Sequence, residues 1–200
     1  MGLKSSVRRF LEKVLQAKIY RFGPRGVPRG LDLFSDIQRA FPDFEPLIVF
    51  DVGANVGQSA EKMLIKFPSS HIFCFEPSRS TFSDLQERLK ERTRVQCFNF
   101  AISSEQSSGK LELNKMSVMR RLVGESNSEG ISTKTENVSL ITIDAFCAEQ
   151  QISRIDYHKV DTEGHELQVL AGAELMLSSD KINLIELELG MNPELVPYAI

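Results

Sequence analysis

Residues 47–57 read LIVFDVGANVG, and this segment indicates how the chain folds. Its run of four apolar residues, two of them β-branched, predicts a strand that is buried on both faces, as in a parallel sheet. An acid ends the apolar run, and two glycines precede a helical pattern over residues 58–67. In an open α/β sheet the turn after such a strand lies at the carboxyl edge, where ligands bind. The segment therefore predicts the start of a ligand-binding βαβ unit, with bare backbone N–H groups in its turn.

A second predicted strand, residues 71–75, is followed directly by Glu76 and Pro77. Glu76 comes nineteen residues after Gly57, a spacing suited to an acid that accepts hydrogen bonds from ribose hydroxyls. The first half of the chain is therefore interpreted as a nucleoside-binding unit.

The turn lacks the glycine pattern of a dinucleotide site. That pattern is Gly-x-Gly-x-x-Gly, because a pyrophosphate must approach the backbone and the helix N-terminus. Here Asn55 replaces the middle glycine, and the last glycine arrives one residue early. Asp51 would repel a pyrophosphate, but it can hold a ligand's ammonium group or the N–H groups of the loop. A ligand with ribose, adenine and an amino-acid tail but no phosphate fits better, and S-adenosyl-L-methionine is such a ligand.

At this point the sequence resembles the FkbM-type methyltransferase family. The matching motifs occur in the family's order and read DVGANVG at 51–57, FEP at 75–77, NFAI at 99–102, ID at 143–144 and KVDTEGHE at 159–166. The resemblance implies an α/β fold with a Rossmann-like class I methyltransferase sheet, mostly parallel. It also implies S-adenosyl-L-methionine as the cofactor and a hydroxyl acceptor on a sugar, a glycan or a secondary metabolite. The residues that we expect to contact the cofactor are Asp51, Gly53, Asn55, Gly57, Glu76, Ala101 and Ile102.

Ala101 and Ile102 belong to residues 95–102, which we predict to be the third strand. In a fold of this kind the end of that strand passes the adenine. The alternative is that Phe100 and Ile102 are only core residues.

Three polar residues, Asp161, Glu163 and His165, follow the strand predicted over residues 155–160. We expect them to be catalytic, because a hydroxyl acceptor benefits from a base that removes its proton. Asp161 is expected to contact the reacting centre, and several acids at one sheet edge raise one another's pKa. Glu163 has a structural alternative at a helix start, and His165 can be an exposed first-turn residue without a role. Lys159 can pair with Asp161 or Glu163, and two carboxylates are too few to predict a metal.

Apolar periodicity predicts further helices over residues 32–40, 81–92 and 165–177. The last of these is expected to pack against the sheet through Leu167 and the apolar residues that share its face. Asp144 is expected to end a strand and to cap the helix that follows it.

Residues 110–113 and 138–143 are predicted to pair as an antiparallel excursion. The segment between them, 114–136, is too long for an idle connection, so it is either a cover over the acceptor or disordered. Residues 182–189 predict a further strand. Nothing after Gly190 can supply the two more strands that the family generally has, so we expect the sheet to lack them.

Composition sets further bounds. A chain of 200 residues suits one domain, and a net charge of −3 argues against a nucleic-acid partner. Three widely spaced cysteines (Cys74, Cys97 and Cys147) predict neither a zinc site nor a disulfide framework, which favours a reducing, cytoplasmic location. No apolar run has the length of a membrane span or a signal peptide.

The amino-terminal region carries an opposite charge. Residues 1–30 hold eight basic residues against one acid, and apolar residues at helical spacing predict a basic amphipathic helix within residues 1–22. This helix either docks on the domain or contacts an anionic membrane surface. We therefore expect a helix and linker over residues 1–45 and a methyltransferase domain over residues 46–200, with the oligomeric state left open.

Two other functions remain as alternatives to an enzyme that transfers methyl groups. One is a nucleoside-binding protein of the same fold without turnover. The other is an NAD-dependent oxidoreductase, which Asn55 and Asp51 disfavour.

Overall fold

The computed structural model describes residues 28–113, 122–123 and 134–188. Contacts divide the chain into two units, Met1–Phe44 and Glu45–Ile200. In the first unit, helix α1 (Leu33–Ala40) begins after Asp32, whose carboxylate accepts the Ser35 N–H at 2.9 Å. The basic helix predicted within residues 1–22 lies outside the described residues.

The second unit contains five strands of one parallel sheet, and in the described part of the chain helices follow three of them. In chain order its elements are β1 (Ile48–Val52), α2 (Gln58–Lys66), β2 (His71–Phe75), α3 (Arg79–Leu89), β3 (Val95–Phe98), β4 (Ala101–Ile102), β5 (Ser107–Leu113), β6 (Leu122–Val123), β7 (Lys134–Ile141), α4 (Ile143–Glu149), β8 (Tyr157–Val160), α5 (Glu166–Ala171), α6 (Glu174–Ser178) and β9 (Ile185–Leu187). The main sheet has the order β3-β2-β1-β8-β9, and every pair in it is parallel. This is the strand order of a doubly wound sheet, and the predicted mostly parallel α/β fold is confirmed.

The central strands are buried on both faces, as the apolar run of β1 predicted. Val49 and Phe50 point to opposite faces of the sheet, and neither is exposed to solvent. On one face, Phe50 and Phe75 meet Phe146 of α4, with the Phe75 and Phe146 rings 4.9 Å apart at an edge-on angle. Full burial of one such side chain stabilises the fold by about 1.5–3 kcal/mol.

The prediction of one strand over residues 95–102 is wrong, because the chain changes sheet at residues 99–100. The Asn99 side-chain amide donates to the carbonyls of Glu76 (3.0 Å) and Pro77 (2.9 Å), which holds the bend. After the bend β4 pairs with β7 in a second sheet of order β4-β7-β5-β6. In that sheet β5 and β7 are antiparallel, which confirms the predicted excursion with longer strands.

The strand predicted over residues 138–143 ends earlier, at Ile141, and Asp144 does not cap the helix that contains it. The Thr142 hydroxyl caps α4 by accepting the Ala145 N–H at 3.0 Å. The Asp144 carboxylate instead accepts the N–H groups of Leu175 (2.8 Å) and Met176 (3.0 Å) at the start of α6. Asp144 nevertheless lies in the first turn of α4, where a carboxylate favours the helix start as expected.

The single helix predicted over residues 165–177 is two short helices, α5 and α6. The break falls at Gly172, where an added Cβ would lie 2.0 Å from the Ser103 carbonyl oxygen. The buried positions are Glu166, Val169, Ala173 and Met176, whereas Leu167 is 76% exposed. The prediction is therefore wrong for Leu167, whereas Ala173 and Leu177 of the predicted face do pack in or against the core.

Other boundaries differ by a few residues. Helix α3 begins two residues before the predicted start, and the strand predicted over residues 182–189 is reduced to β9 and one bridge between Ile155 and Ile182. Residues 122–123 and 134–136 belong to strands, and the rest of the predicted cover lies outside the described residues. Residues 189–200, over which no further strand was expected, also lie outside the described residues. Among the described helices, none is long and apolar enough to cross a membrane.

One buried side chain makes the stability of the fold depend on pH. The His158 imidazole is fully buried, 6.1 Å from the Phe50 ring centre, and among the described residues neither ring nitrogen has a hydrogen-bond partner. Burial lowers the pKa of His158 from 6.5 to about 4. Below pH 6.5 His158 therefore binds a proton in the unfolded chain but not in the native state, so stability falls as the pH falls towards 4.

We expect His158→Leu to remove this pH dependence. The wild-type free energy of unfolding should fall by about 3 kcal/mol more than that of the variant between pH 7 and pH 4. Urea unfolding at several pH values measures the difference, and His71→Gln at an exposed histidine is the matched control. Parallel pH profiles for wild type and His158→Leu would contradict the assignment.

Candidate active site

A cavity of about 260 Å³ lies at the carboxyl edge of the main sheet. The ends of β1, β2, β8 and β9 supply its polar wall, and β4 and β5 of the second sheet supply apolar side chains. Its lining residues are Val52, Gly53, Ala54, Asn55, Gln58, Ser59, Phe75, Glu76, Pro77, Thr81, Phe100, Ala101, Ile102, Leu111, Asp161, Thr162, Glu163, His165 and Glu188.

The backbone N–H groups of the glycine turn are already paired within the protein. Gly53 and Ala54 both donate to the Phe75 carbonyl at 3.0 Å, Asn55 donates to Glu76 Oε2 at 3.1 Å, and Gly57 donates to the Ala54 carbonyl at 2.9 Å. The sequence predicted bare N–H groups here, and that prediction is wrong for these four. Ligand recognition at this turn therefore depends on side chains and carbonyl groups more than on these amides.

Glu76 holds the turn from the end of β2. Its Oε2 accepts the Asn55 N–H, and its Oε1 accepts the Ser78 N–H at 2.9 Å. The residue is 6% exposed and lines the cavity. Because a carboxylate offers about four acceptor positions, anchoring the turn does not use up its capacity to accept hydrogen bonds.

The two glycines of the turn have tight packing requirements. Gly53 has a φ of 80°, and an added Cβ would lie 1.8 Å from the Asp161 carbonyl oxygen. Gly57 has a φ of 88°, and an added Cβ would lie 2.9 Å from methyl groups of Leu85 and Leu89 in α3. Gly53 lines the cavity and Gly57 does not.

A buried ion pair lies behind the cavity. Asp51 and Lys159 are partners in the parallel register of β1 and β8. Lys159 Nζ is 3.7 Å from Asp51 Oδ1 and 3.0 Å from Asp161 Oδ2, so its ammonium group lies between two carboxylates. The sequence anticipated the pairing of Lys159 with Asp161. Lys159 is 7% exposed, and its pKa is raised because Asp51 and Asp161 outweigh the opposing effect of burial.

Asp51 itself is fully buried and does not line the cavity. Its carboxylate oxygens accept no hydrogen bond from any described residue, so the turn's N–H groups are not among its partners. Burial raises the pKa of Asp51 to about 6 against the opposing charge of Lys159. The structure thus places Asp51 one residue back from the sheet edge, as the counter-ion of Lys159.

The structural role considered for Glu163, that of a carboxylate at the start of a helix, belongs to Glu166. Glu166 Oε1 accepts the N–H groups of Thr162 (3.1 Å) and Gly164 (3.0 Å), and the Thr162 hydroxyl (3.1 Å). Burial alone would raise the pKa of Glu166, but these hydrogen bonds lower it. Glu163 is exposed at the cavity with a φ of 55°. Burial, followed by the charges of Asp161 and Glu166, raises its pKa.

His165 is half-buried at the N-cap of α5, and it is not the exposed first-turn residue of the alternative interpretation. Its Nε2 is 3.0 Å from Ser103 Oγ, which orients the ring. Burial lowers the pKa of His165, and the Glu166 carboxylate partly opposes this. The imidazole is therefore a neutral group at neutral pH, able to accept a proton at the cavity.

The apolar wall agrees with both interpretations of residues 99–102. Ala101 and Ile102 line the cavity, and Ile102 is also part of the hydrophobic core. Phe100 lines the cavity while its ring lies 5.7 Å from that of Phe75.

Several residues of the lining were not predicted from the sequence. Glu188 follows β9, and Thr162 and Thr81 add hydroxyl groups. The signal that identified Glu76 and Asp161, an acid directly after a predicted strand, did not identify Glu188, because the strand predicted over residues 182–189 included it, whereas β9 ends at Leu187. Without strand order, that signal did not show that β9 lies beside β8.

The charge of the lining is one-sided. It contains four carboxylates, those of Glu76, Asp161, Glu163 and Glu188, and no lysine or arginine among the described residues. Such a cavity attracts cations and hydroxyl donors and repels phosphate groups. In the described part of the chain no cluster of three or more His, Cys, Asp or Glu side chains is arranged to hold a metal ion.

Comparison with known proteins identifies one family. The model of the methyltransferase FkbM domain matches residues 51–198. Hexuronic acid methyltransferase AglP of Haloferax volcanii is 28% identical, over 74% of this chain and 58% of its own length. 2-O-methyltransferase NoeI of Sinorhizobium fredii is 25% identical, over 67% and 60%, and Methyltransferase 1 of Beauveria bassiana is 27% identical over the same shares. The chain thus spans about three-fifths of the length of these relatives.

The solved structures that match include precorrin 8w decarboxylase of Methanobacterium thermoautotrophicum. It aligns with a TM-score of 0.42 and 13% identity, over 88% of this chain and 72% of its own. A likeness of this degree carries no argument about fold or function.

We expect the contact between Gly53 and the Asp161 backbone to make Gly53→Ala destabilising by more than about 3 kcal/mol, because a backbone clash cannot be relieved by rotating a side chain. Gly164→Ala is the matched control, since Gly164 also has a positive φ but open space at its Cβ position. That variant should cost only about 1–2 kcal/mol. Urea unfolding measures both, and equal losses would contradict the packing argument.

Proposed function

This chain belongs to the methyltransferase FkbM domain family, and from that premise we propose that it is an S-adenosyl-L-methionine-dependent O-methyltransferase. The proposed acceptor is a hydroxyl on a sugar, a glycan or a secondary metabolite. The names of two relatives, a hexuronic acid methyltransferase and a 2-O-methyltransferase, support a sugar hydroxyl.

The observation that carries the proposal is the acidic lining of the cavity. S-adenosyl-L-methionine has a sulfonium and an ammonium group and no phosphate, so four carboxylates without a facing lysine or arginine suit it. The same lining disfavours a nicotinamide dinucleotide, because its pyrophosphate would meet carboxylates and turn amides that are already paired.

The residues present fit this cofactor. Glu76 would hold the ribose hydroxyls, the wall of Phe75, Ala101 and Ile102 would take the adenine, and Asp161 would face the cationic part. When bound, S-adenosyl-L-methionine supplies an electrophilic methyl group for transfer to a nucleophilic oxygen. Asp51 and Gly57, which do not line the cavity, would act through Lys159 and through the packing of the turn.

The remaining chemistry is the removal of the acceptor proton. Asp161 lies in the cavity wall, and Lys159 holds its Oδ2 at 3.0 Å. This ion pair orients the carboxylate and leaves Oδ1 to accept a hydrogen bond from an acceptor hydroxyl. His165, oriented by Ser103, is a second group that can accept a proton or a hydrogen bond. Glu163 adds negative charge at the same wall.

We propose the division of the chain accordingly. Residues 46–200 would form the methyltransferase domain, and residues 1–45 would be an amino-terminal helix and linker. The thiols of Cys74, Cys97 and Cys147 are free, which supports a reducing, cytoplasmic location.

We expect S-adenosylhomocysteine, and not NAD, to bind to the protein in calorimetry. Glu76→Ala should weaken this binding by roughly 1.5–3 kcal/mol, the range for a hydrogen bond to a charged group. Because Glu76 also anchors the turn, a melting curve must show that the variant is folded. Glu149→Gln, which neutralises an exposed acid of α4, is the control. Unchanged affinity in folded Glu76→Ala would refute the ribose assignment.

We expect Asp161→Asn to keep most of the affinity for S-adenosylhomocysteine and to lose methyl transfer by about 10²-fold or more, the range for a general base. Transfer of labelled methyl groups to a panel of methyl glycosides measures turnover, and a melting curve on the same preparation measures stability. His165→Gln serves as the comparison for the second proton acceptor. Full activity in stably folded Asp161→Asn would rule out the catalytic assignment.

A further inference from the structure

The register of two neighbouring strands brings a second carboxylate beside Asp161. Strands β8 and β9 are parallel, with Val160 opposite Leu187. The N–H of Glu188 donates to the Val160 carbonyl at 3.0 Å, which continues the ladder to the sheet edge. Asp161 and Glu188 therefore leave the sheet side by side, and both line the cavity.

The two carboxyl groups are close enough to share a hydrogen bond. Because ionised carboxylates have no donor hydrogen, that bond exists only when one of the two carries a proton. Lys159 Nζ lies 3.0 Å from Asp161 Oδ2. The arrangement is thus a row that runs from Lys159, behind the cavity, to Asp161 and Glu188 in its wall.

We propose that Asp161 and Glu188 act together as one base, taking the proton of the acceptor hydroxyl and sharing it between their carboxylates. This rests on the methyl transfer proposed above. Glu188 is then a further catalytic residue, and Lys159 is a positioning residue that holds Asp161.

The step balances in atoms and charge. As the acceptor oxygen bonds to the methyl carbon, the electron pair of the breaking carbon–sulfur bond stays on sulfur. The acceptor O–H bond breaks, and its proton passes to the carboxylate pair. The two negative charges of the ionised pair thereby become one.

Repulsion between the two carboxylates strengthens this base. The charge of Asp161 and the hydrogen bond between the two groups raise the pKa of Glu188. The titration belongs to the pair, with a last proton that leaves at higher pH than from an isolated carboxyl.

Other charged and titratable groups around the pair modify this titration. On β1 and β8 these groups are Asp51 and Lys159. On β9 the group is Glu186, whose carboxylate accepts a hydrogen bond from the Tyr157 hydroxyl. In the cavity wall the groups are Glu76, Glu163 and His165. Lys159 is the cation of this set, and Asp51 already shares its charge.

Glu188→Gln tests the proposal, because it removes the charge of the partner and leaves a group of similar size. Glu188 is exposed, so we expect the variant to fold. Without the second negative charge, the base is no longer opposed by repulsion between two carboxylates. The acidic limb of the pH dependence of kcat/KM should therefore move to lower pH by about one unit or more. The rate above the limb should fall roughly tenfold, because the remaining base is weaker.

A second readout does not depend on activity. In the ligand-free protein, the carboxyl ¹³C signal of Glu188 should titrate at higher pH than that of an isolated carboxyl, because Asp161 raises the pKa of Glu188. In Asp161→Asn, which removes that charge, Glu188 should titrate at lower pH, whereas Glu149→Gln should leave its titration unchanged. Absence of S-adenosylhomocysteine binding in the wild type would contradict the proposed function, and the titration would still decide the pair.

The proposal is overturned if Glu188 titrates identically in wild type and Asp161→Asn. It is also overturned if methyl transfer proceeds with an unmoved acidic limb and an unchanged rate in the variant.

Discussion

The Lys159 ammonium group lies between the carboxylates of Asp51 and Asp161, and the site depends on this buried ion arrangement. Both Lys159 and Asp51 are almost without solvent contact, so each depends on the other to remain charged. Removing one partner of such a pair leaves an uncompensated buried charge, which typically costs about 3–5 kcal/mol. The pairing is available only because β1 and β8 are adjacent and parallel with Asp51 opposite Lys159. The register of β1 and β8 therefore determines which charged groups meet at the site.

The glycine turn follows from that constraint. The backbone of residue 53 passes so close to the Asp161 carbonyl that a Cβ would lie 1.8 Å from it. Glu76 and the Phe75 carbonyl then take up the turn's N–H groups, which ties the turn to β2. Because these amides are used internally, the cavity presents carboxylates instead of bare N–H groups. Such a lining favours positive charge and hydroxyl groups over a pyrophosphate.

Helix α5 links the main sheet to the second one. Glu166 is buried and accepts three hydrogen bonds from Thr162 and Gly164, which directs the loop after β8. Its burial rotates the helix and exposes Leu167. One residue earlier, His165 meets Ser103, the residue that follows β4. The second sheet therefore contributes to the cavity through its apolar wall and by orienting a titratable side chain.

The sequence alone determined the strand and turn over residues 47–57, the acid after β2 and the polar motif after β8, because these depend on local periodicity and spacing. It also predicted the mostly parallel α/β fold and the pairing of Lys159 with Asp161. Only the tertiary structure decided that residues 95–102 divide between two sheets, that Asp144 caps α6, and that Glu188 stands beside Asp161. Each of these depends on which strand or helix becomes a neighbour across many residues of chain. The local sequence pattern does not show which strands and helices become neighbours, because the contacts between them form only when the sheet assembles.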